Sequence, residues 1–242
     1  MIKRVAIIPA RSGSKRIKNK NIKNFYGKPI IFYAIDALKK SKLFSKIYVS
    51  TDSNKIRNLV NKKNLNIKEL RPKKFALDSS PTMQVLKYEL KKMLKNKENY
   101  DEVWLVSACN PFLQIKDLKK SAKIFSKNKK SLSLITVTEY PAPIEWAFEI
   151  KKNKLNPIQK NMFKVRSNKL TQKYYDCDSF AIFKTKEIYN SPKFGTNTKF
   201  IPYIIEREMA VDIDNLSDWK YAEKLYRLIN KNETLRKNKK KQ

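Results

Sequence analysis

Histidine is absent from the 242 residues, and cysteine and glycine are rare, with two and three copies respectively. A chain without histidine has no imidazole general base, no histidine-containing catalytic triad and no histidine-ligated zinc. Cys109 and Cys177 cannot complete a tetrahedral zinc site by themselves, and two cysteines are too few for a disulfide framework. The cysteine usage therefore favours a reducing, cytoplasmic location.

Long apolar runs are also missing. A membrane-spanning helix needs roughly 20 consecutive apolar residues, whereas the longest candidate run, 29–38, is short and is interrupted by Asp36. At the start of the chain, Lys3 and Arg4 are followed by only four apolar residues, 5–8, which is the length of a strand and too short for a signal peptide. We expect no membrane partner.

Acidic residues are scarce, since 22 Asp and Glu stand against 55 Lys and Arg, for a formal net charge of +33. The basic residues are spread along the whole chain, which favours compositional drift over a nucleic-acid-binding arm. We therefore expect no nucleic-acid partner. The alternative is a basic RNA-binding protein with Tyr174, Tyr175 and Phe180 as stacking groups, whose binding would weaken steeply with salt.

Hydrophobic periodicity alternates along the chain between strand and helix patterns. Strands are predicted over 5–8, 47–50, 67–70, 103–106 and 132–137. Helices are predicted over 30–38, 56–60, 83–94, 115–125 and 219–229, with Ser80 and Pro81 as the start signal of the third helix. This alternation is typical of an α/β fold with a Rossmann-like, doubly wound, mainly parallel sheet, in which ligands bind at the carboxyl ends of the strands.

The composition predicts a single domain over 1–231, because 242 residues with 41% hydrophobic content can bury one sizeable core. Periodicity breaks down over about 139–178, where prolines interrupt aromatic and basic residues, and this segment is predicted to be a small β-rich insertion. Residues 232–242 contain a lysine cluster and are predicted to be a basic, disordered tail.

The segment 9–21, PARSGSKRIKNKN, follows the first predicted strand and is strongly cationic. Nine Lys and Arg residues precede the first acidic residue, Asp36, and two of the three glycines, Gly13 and Gly27, also fall in this region. Such sparing use of glycine predicts that the backbone requires it at both positions. A loop of this composition can bind a polyphosphate through backbone N–H groups and charge, although it lacks the glycines of the Walker and dinucleotide motifs. The alternative is a basic surface loop.

Asp212 and Asp214 lie in a segment, 211–214, with the pattern of a strand end. Residues two apart in a strand point to the same side, so both carboxylates could bind one Mg²⁺, which prefers a few carboxylates together with water and phosphate oxygens. In the alternative, Asp214 merely caps the following helix, for which Asn215 and Asp218 have the spacing of a cap pair. Cations and paired carboxylates without a nucleophilic His or Cys favour phosphoryl or nucleotidyl transfer.

Several segments, taken in order along the chain, resemble the CMP-sialic acid synthetases, the cytidylyltransferases that activate acidic nine-carbon sugars. The first and the last of them are fairly specific when they occur together. The segments are Ile8-Pro9-Ala10-Arg11-Ser12-Gly13-Ser14-Lys15-Arg16 with Lys20-Asn21, Gly27-Lys28-Pro29, Val49-Ser50-Thr51-Asp52, Arg71-Pro72 with Ala76 and Asp78, Asn110-Pro111-Phe112 and Val211-Asp212-Ile213-Asp214. The resemblance covers residues 1 to about 230.

The segments 139–144, 166–167 and 174–180 are most similar to the pseudaminic acid branch of that family. This branch has a His-Asp-Ala-Gly-Gln-Phe type of run where the present chain has Tyr-Asp-Cys-Asp-Ser-Phe over 175–180. The reaction implied is CTP plus pseudaminic acid giving the CMP-sugar and pyrophosphate, for surface-glycan or flagellin glycosylation. Synthesis of CMP-N-acetylneuraminate or CMP-legionaminate is the alternative within the family, and a catalytically silent sugar-nucleotide binder is the alternative without chemistry.

The resemblance also implies roles for individual residues. Arg11 and Lys15 would neutralise the triphosphate, Lys20 would stabilise charge at the α-phosphate, and Asp212 and Asp214 would hold Mg²⁺, with Asp214 also counted among the catalytic residues. The residues that would contact the nucleotide are Ala10, Arg11, Ser12, Gly13, Ser14, Asn21 and Thr82.

The insertion resembles the dimerisation arm of that family, so a homodimer is implied. Arg166, which lies on this arm, is a candidate partner for the sugar carboxylate, because a planar guanidinium fork suits that group. The alternative for Arg166 is a solvent-facing side chain.

Overall fold

A sheet of six strands forms the centre of the protein. The computed structural model describes residues 2–128, 133–190 and 199–239. The strands are β1 (Arg4–Pro9), β2 (Asn24–Phe25), β3 (Lys28–Pro29), β4 (Lys46–Ser50), β5 (Glu102–Val106), β6 (Ser133–Glu139), β7 (Phe148–Lys151), β8 (Lys154–Pro157), β9 (Tyr174–Lys184) and β10 (Phe200–Ile204). The α-helices are α1 (Ile31–Ser41), α2 (Asn54–Asn61), α3 (Thr82–Lys95), α4 (Ile115–Ser126), α5 (Thr185–Asn190) and α6 (Leu216–Lys239).

The central sheet has the strand order β10-β6-β9-β5-β1-β4. Strand β1 pairs in parallel with β4 and β5, and β6 pairs in parallel with β10, whereas β9 runs antiparallel between β5 and β6. Parallel neighbours need crossover connections, and helices supply them here: α1 joins β1 to β4, and α2 and α3 lie between β4 and β5. The predicted α/β fold with a mainly parallel sheet is confirmed.

Strand β1 is buried on both faces. Val5, Ala6, Ile7 and Ile8 are all 0% exposed. Successive residues of a strand point to opposite faces, so side chains from other elements cover the sheet on both sides at this position. A continuous apolar run is what such a strand requires, and it explains why this strand could be predicted from a four-residue pattern.

A second apolar cluster fixes the start of α6 against the segment that follows β1. Trp219 of α6 packs in this cluster with Phe25 and Ile213. The rings of Phe25 and Trp219 lie 5.5 Å apart with an edge-to-face geometry that aromatic pairs favour. Because Ile213 lies between Asp212 and Asp214, this packing brings both aspartates to the loop after β1.

The segment 67–70 is not a strand, contrary to the sequence prediction. The backbone N–H of buried Ile67 donates to Oδ1 of Asn61 at 2.7 Å, and the Ile67 carbonyl accepts from Nδ2 of Asn61 at 3.0 Å. The Asn61 side chain therefore satisfies both backbone groups that a neighbouring strand would otherwise bind. Apolar periodicity does not reveal this competition from a side chain.

Two further predictions of local structure differ from what the structure shows: a strand at 211–214 and the cap of the third helix. Residues 211–214 form no strand, yet buried Ile213 still lies between the less buried Asp212 and Asp214, so the alternation that the prediction used is preserved. Helix α3 begins after Pro81, and the Ser80 hydroxyl donates to the carbonyl of Lys74 at 3.0 Å instead of capping the helix.

Helix α6 extends to Lys239, so the predicted disordered tail is helical over 232–239, while 240–242 lie outside the described residues. The segment contains neither glycine nor proline, and leucine, glutamate, arginine and lysine are good helix formers. Within the described ranges, none of the helices combines the length and the apolar character that crossing a lipid bilayer demands.

The insertion contains a hairpin of β7 and β8, which pair antiparallel in a two-stranded sheet of their own. The predicted small β-rich insertion is confirmed. Its predicted end at 178 is too late, because β9 begins at Tyr174 and belongs to the central sheet.

Replacing Asn61 by Ala should destabilise the protein, because the backbone of buried Ile67 would lose two hydrogen bonds. We expect the free energy of unfolding to fall by about 2 kcal/mol, the order found for buried polar groups left without a partner. Urea denaturation measures this change. Asn58→Ala, at an exposed position of the same helix, is the matched control, and a loss no larger than that of the control would contradict the role of Asn61.

Candidate active site

A cleft of about 310 Å³ opens at the carboxyl ends of β1 and β5, where Pro9 and Val106 contribute to its wall. The loop after β1, the start of α3 and the segment before α6 also line it. Ligands of open α/β sheets bind at this edge of the sheet. The position therefore agrees with the sequence-based expectation for a ligand site.

Hydrogen bonds to a neighbouring strand end fix the loop after β1. The backbone N–H and the hydroxyl of Ser12 donate to the two carboxylate oxygens of Asp52, at 2.8 and 2.7 Å. Nδ2 of Asn21 donates to the carbonyl of Arg11 at 2.9 Å, which joins the two ends of the loop. The cations of the loop are thus carried by a backbone tied to the sheet.

The two glycines of this region have different roles. Gly27 has φ +85° in the turn between β2 and β3, a conformation that side chains rarely adopt, so the prediction that the backbone requires glycine is confirmed there. At Gly13 the prediction is wrong for this structure, because an added Cβ would meet no atom within 4 Å and φ is not in the left-handed region.

Arg11 and Lys15 meet at one acidic side chain on the cleft wall. Nζ of Lys15 lies 2.7 Å from Oδ2 of Asp78, and the Arg11 guanidinium forms an ion pair with the other oxygen of the same carboxylate. Lys15 and Arg11 together lower the pKa of Asp78 below its usual value. Asp78 therefore holds two cations of the loop on the same side of the cleft.

Lys20 and Arg16 meet the second acidic side chain of the cleft, Asp214. Nζ of Lys20 donates to the carbonyl of Ile213 at 2.7 Å and lies 3.3 Å from Oδ1 of Asp214, while Arg16 reaches Oδ2 of Asp214 at 3.0 Å. Partial burial would raise the pKa of Asp214, but Lys20 and Arg16 outweigh it and lower that pKa. The predicted loop and the predicted aspartate are therefore direct neighbours.

The helix cap at the start of α6 does not depend on the Asp214 side chain. Oδ2 of Asp218 accepts from the backbone N–H groups of Asp214 and Asn215, both at 2.9 Å. In return, Oδ1 of Asn215 accepts from the backbone N–H groups of Ser217 and Asp218, at 2.8 and 3.0 Å. This reciprocal pattern is the predicted cap pair. The alternative in which Asp214 merely caps the helix is wrong, because its carboxylate binds two cations instead.

Asp178 of β9 is a site residue that sequence reasoning missed. It lines the cleft and has φ +48°, a left-handed conformation that Asp tolerates better than most residues. The residue as a whole is exposed, but its carboxyl group lies among the atoms of the cleft, and this burial together with the negative charges of Asp212 and Asp176 raises its pKa to about 7. Burial and Asp214 likewise raise the pKa of Asp212.

Arg71 also lines the cleft, and the sequence pattern gave it no role beyond a matching dipeptide. The residue is only 4% exposed, and burial lowers the pKa of its guanidinium although Asp52 and Glu89 oppose that effect. A buried arginine beside an open cleft is a rare arrangement in proteins. A composition-based search could not detect it among 55 basic residues.

Cys109 lies on the same wall but has no sign of nucleophilic activation. Its thiol donates to Oδ1 of Asn21 at 3.3 Å, and burial raises its pKa to about 12. A thiol with a raised pKa is a poor nucleophile, since the thiolate is the reactive form. Cys109 thus helps to orient Asn21.

The structure brings most of the predicted site residues together. Those that line the cleft are Arg11, Ser14, Lys15, Lys20, Asn21, Thr82 and Asp214. Ala10 is buried at the base of the loop, where its N–H donates to the carbonyl of Ser50 at 2.8 Å. Ser12 is directed to Asp52, and Asp212 adjoins Asp214. Arg166 is exposed on the insertion and does not line the cleft of its own chain.

Comparison with known proteins identifies the family. The family model described as Cytidylyltransferase matches residues 5–240. The chain belongs to the cytidylyltransferase family. The sequence analysis predicted a cytidylyltransferase from the basic loop, the aspartate pair and their resemblance to known motifs. This prediction is confirmed at the level of the family.

This cytidylyltransferase is similar over nearly its whole length to curated relatives. A pseudaminic acid cytidylyltransferase of Campylobacter jejuni is 30% identical over 228 residues, which cover 94% of this chain and 97% of that protein. A CMP-N,N'-diacetyllegionaminic acid synthase of Legionella pneumophila is 28% identical, with 93% and 96% covered. An N-acylneuraminate cytidylyltransferase of Escherichia coli is 26% identical, with 90% of this chain and 51% of that protein covered.

Solved structures agree with the fold of this cytidylyltransferase. The structure of a CMP:2-keto-3-deoxy-manno-octonic acid synthetase complexed with CTP has a TM-score of 0.66 at 13% identity and covers 93% of this chain and 99% of that one. A 4-diphosphocytidyl-2C-methyl-D-erythritol synthase from Anaerococcus prevotii has a TM-score of 0.64 at 16% identity, with the same coverage. At such identities the likeness concerns the fold alone.

Replacing Asp178 by Asn should reduce the pH dependence of stability. Between the ordinary pKa of 3.8 and the raised value of about 7, the folded state binds a proton that the unfolded state has lost, so stability falls as the pH rises through this window. Asn cannot ionise and also tolerates a positive φ. Thermal unfolding is measured from pH 4 to 8 without nucleotide or metal. The variant should have a higher melting temperature than the unaltered protein only at the alkaline end of this range. Parallel curves of melting temperature against pH for the two proteins would contradict the raised pKa of Asp178.

Proposed function

We propose that this cytidylyltransferase transfers the cytidylyl group of CTP to a nonulosonic acid and releases pyrophosphate. The observation that carries the proposal is the convergence of Arg11, Lys15, Lys20 and Asp214 on one cleft. Similarity over nearly the full length to a pseudaminic acid cytidylyltransferase favours pseudaminic acid as the acceptor, with N-acetylneuraminic or legionaminic acid as alternatives. The product would serve surface-glycan or flagellin glycosylation. Because CTP is an intracellular nucleotide, the proposed location is the cytoplasm.

In the proposed reaction, the anomeric hydroxyl oxygen attacks the α-phosphorus of CTP and loses its proton to water. The bond from the α-phosphorus to the bridging oxygen breaks, and pyrophosphate leaves with the electron pair. Arg11 and Lys15 would exchange the Asp78 carboxylate for phosphate oxygens, and Lys20 would stabilise the charge that develops at the α-phosphate. Positioning and charge neutralisation then account for the acceleration, and no covalent intermediate is needed.

Mg²⁺ is the proposed cofactor. Burial and the neighbouring Asp214 raise the pKa of Asp212, so a cation bound to both carboxylates would relieve the repulsion between them. No group of three or more potential ligands forms a metal site within 2–128, 133–190 and 199–239. Two carboxylates still suit Mg²⁺, which commonly takes its remaining ligands from water and substrate phosphates. When bound, the ion would neutralise phosphate oxygens.

The insertion is proposed to pack against a second copy of the chain. Ile150, Leu155 and Ile158 at the β7–β8 hairpin are 76, 65 and 58% exposed, and clustered apolar side chains of this kind mark interaction surfaces. Arg166 is on the same insertion and away from its own cleft. In a homodimer whose arms exchange, Arg166 would reach the carboxylate of a sugar bound to the partner.

Pyrophosphate release from CTP should require both a nonulosonic acid and Mg²⁺. The substitution Asp214→Asn should lower the rate of this release by about 10²-fold or more, which is the order seen when a charge-stabilising group is removed. A coupled pyrophosphate assay with CTP or UTP and with pseudaminic, N-acetylneuraminic and legionaminic acids measures the nucleotide and sugar preferences. Asp117→Asn, which alters a carboxylate bound to the Tyr203 hydroxyl outside the cleft, is the matched control and should keep its activity.

Two results of this assay would contradict the proposal. CTP binding without pyrophosphate release for any of the three sugars would favour the silent binder. An unchanged rate for Asp214→Asn in the presence of Mg²⁺ would remove this residue from the metal site.

Replacing Ile150 by Asp should dissociate the proposed homodimer, because a charge in an apolar interface would lose its hydration. Light scattering coupled to size exclusion should change from about twice the chain mass of 28.6 kDa to a single chain. The substitution lies on an exposed position, so the thermal unfolding of the monomer itself should change little. A monomeric mass for the unaltered protein would contradict the dimer.

A further inference from the structure

A buried carboxylate lies behind the wall of the cleft. Glu89 of α3 is 0% exposed, and its Oε1 accepts a hydrogen bond from the hydroxyl of Ser50 at 2.6 Å. Its Oε2 lies 3.3 Å from Nζ of Lys92 but accepts no hydrogen bond from the described residues. Nζ of Lys92 also donates to the hydroxyl of Tyr48 at 2.8 Å. The carboxylate thus has an ion-pair partner in Lys92 and a short hydrogen bond from Ser50.

Ser50 connects this carboxylate to Arg71. The serine hydroxyl has a single proton, and the 2.6 Å contact shows that it is donated to Glu89. The oxygen of Ser50 is then available only as an acceptor, and Nη1 of Arg71 donates to it at 3.4 Å. The carboxylate of Glu89 accepts and the guanidinium of Arg71 can only donate, so both hydrogen bonds run toward Glu89.

The backbone of Arg71 is also fixed, and its side chain is buried beside the cleft. Its backbone N–H donates to the carbonyl of Thr51 at 2.6 Å, and the residue is 4% exposed. Its Nε is buried and has no hydrogen-bond partner in the described part of the chain, although the side chain lines the cleft. A buried guanidinium with unused donors is costly unless a ligand accepts from them.

We propose that Glu89 is a positioning residue which, acting through Ser50, holds the Arg71 guanidinium in the cleft with its free donors directed at bound CTP. This inference rests on the proposed function, because it takes CTP as the ligand of the cleft. Burial and, after it, Arg11 lower the pKa of the Arg71 guanidinium, and the charge of Glu89 opposes that effect. An apolar residue could fill the same volume at similar stability, so packing alone does not account for a carboxylate here.

The test uses the full chain and two substitutions that break the same connection at different points. Glu89→Gln keeps the volume and loses the charge, and Ser50→Ala removes the intermediate hydroxyl while Glu89 stays. Each should raise the Kd for CTP, measured by isothermal titration calorimetry, by about tenfold. In steady-state kinetics each should raise KM for CTP while kcat and KM for the sugar change little.

Two further variants separate positioning from general structural damage. In an Arg71→Ala background, Glu89→Gln should have no further effect on the Kd for CTP, because Glu89 acts through Arg71. Glu102→Gln is the control, because it alters another buried carboxylate, which is 5% exposed and accepts from Nε of Arg4 at 2.7 Å. Glu102 lies at the amino end of β5, away from the cleft. This substitution should lower the melting temperature but leave the Kd for CTP unchanged.

The outcomes distinguish this inference from the proposed function. If the unaltered chain binds CTP and folded Glu89→Gln and Ser50→Ala bind it equally well, the positioning role is overturned and the function stands. A tenfold effect of Glu89→Gln that persists in the Arg71→Ala background also overturns the role, since Glu89 would then act by another route. Failure of the unaltered chain to bind CTP overturns both.

Discussion

The site depends on one constraint: cations that repel one another must be kept within a single cleft. The ammonium of Lys20, bonded to the Ile213 carbonyl and close to Asp214, joins the loop after β1 to a segment almost two hundred residues later. Asp78 forms ion pairs with Arg11 and Lys15 and so joins the same loop to the segment before α3. Each carboxylate is paired with two cations and balances only one of their charges, so the free protein already holds these cations where a triphosphate could replace the carboxylates.

The net charge of +33 extends well beyond the cleft. The cations that define the cleft are paired with specific carboxylates, whereas most other lysines are spread over the surface and would attract any polyanion weakly. Phe180, a stacking candidate of the RNA-binding alternative, is 3% exposed and stacks on Trp104 with ring centroids 5.4 Å apart. It belongs to the core and is not accessible to bases, which removes one of the three aromatic groups on which that alternative relied.

The parts of the fold with a local cause could be predicted from the sequence, and the parts set by distant side chains could not. Strand β1 and helix α1 follow from apolar spacing alone. The predicted strand over 67–70 is wrong because the Asn61 side chain binds the backbone of this segment. The role of Arg71 was missed because its contacts are with Ser50 and, through Ser50, with Glu89, which are distant in sequence. Contacts of this kind have no periodic signature, so only the three-dimensional arrangement reveals them.

Asp178 shows how one wall of the cleft can gain a charge while its backbone keeps a conformation open to glycine. The pseudaminic acid branch resembled by this chain has glycine at the corresponding position of its run, and Asp178 adopts φ +48°, a conformation open to glycine. The exchange therefore preserves the course of β9 and adds a carboxylate next to Asp212 and Asp214. A ligand that binds beside these three carboxylates meets concentrated negative charge, which favours hydroxyl or amide donors, or a cation, over another carboxylate. Electrostatics as well as shape therefore limits what this part of the cleft can bind.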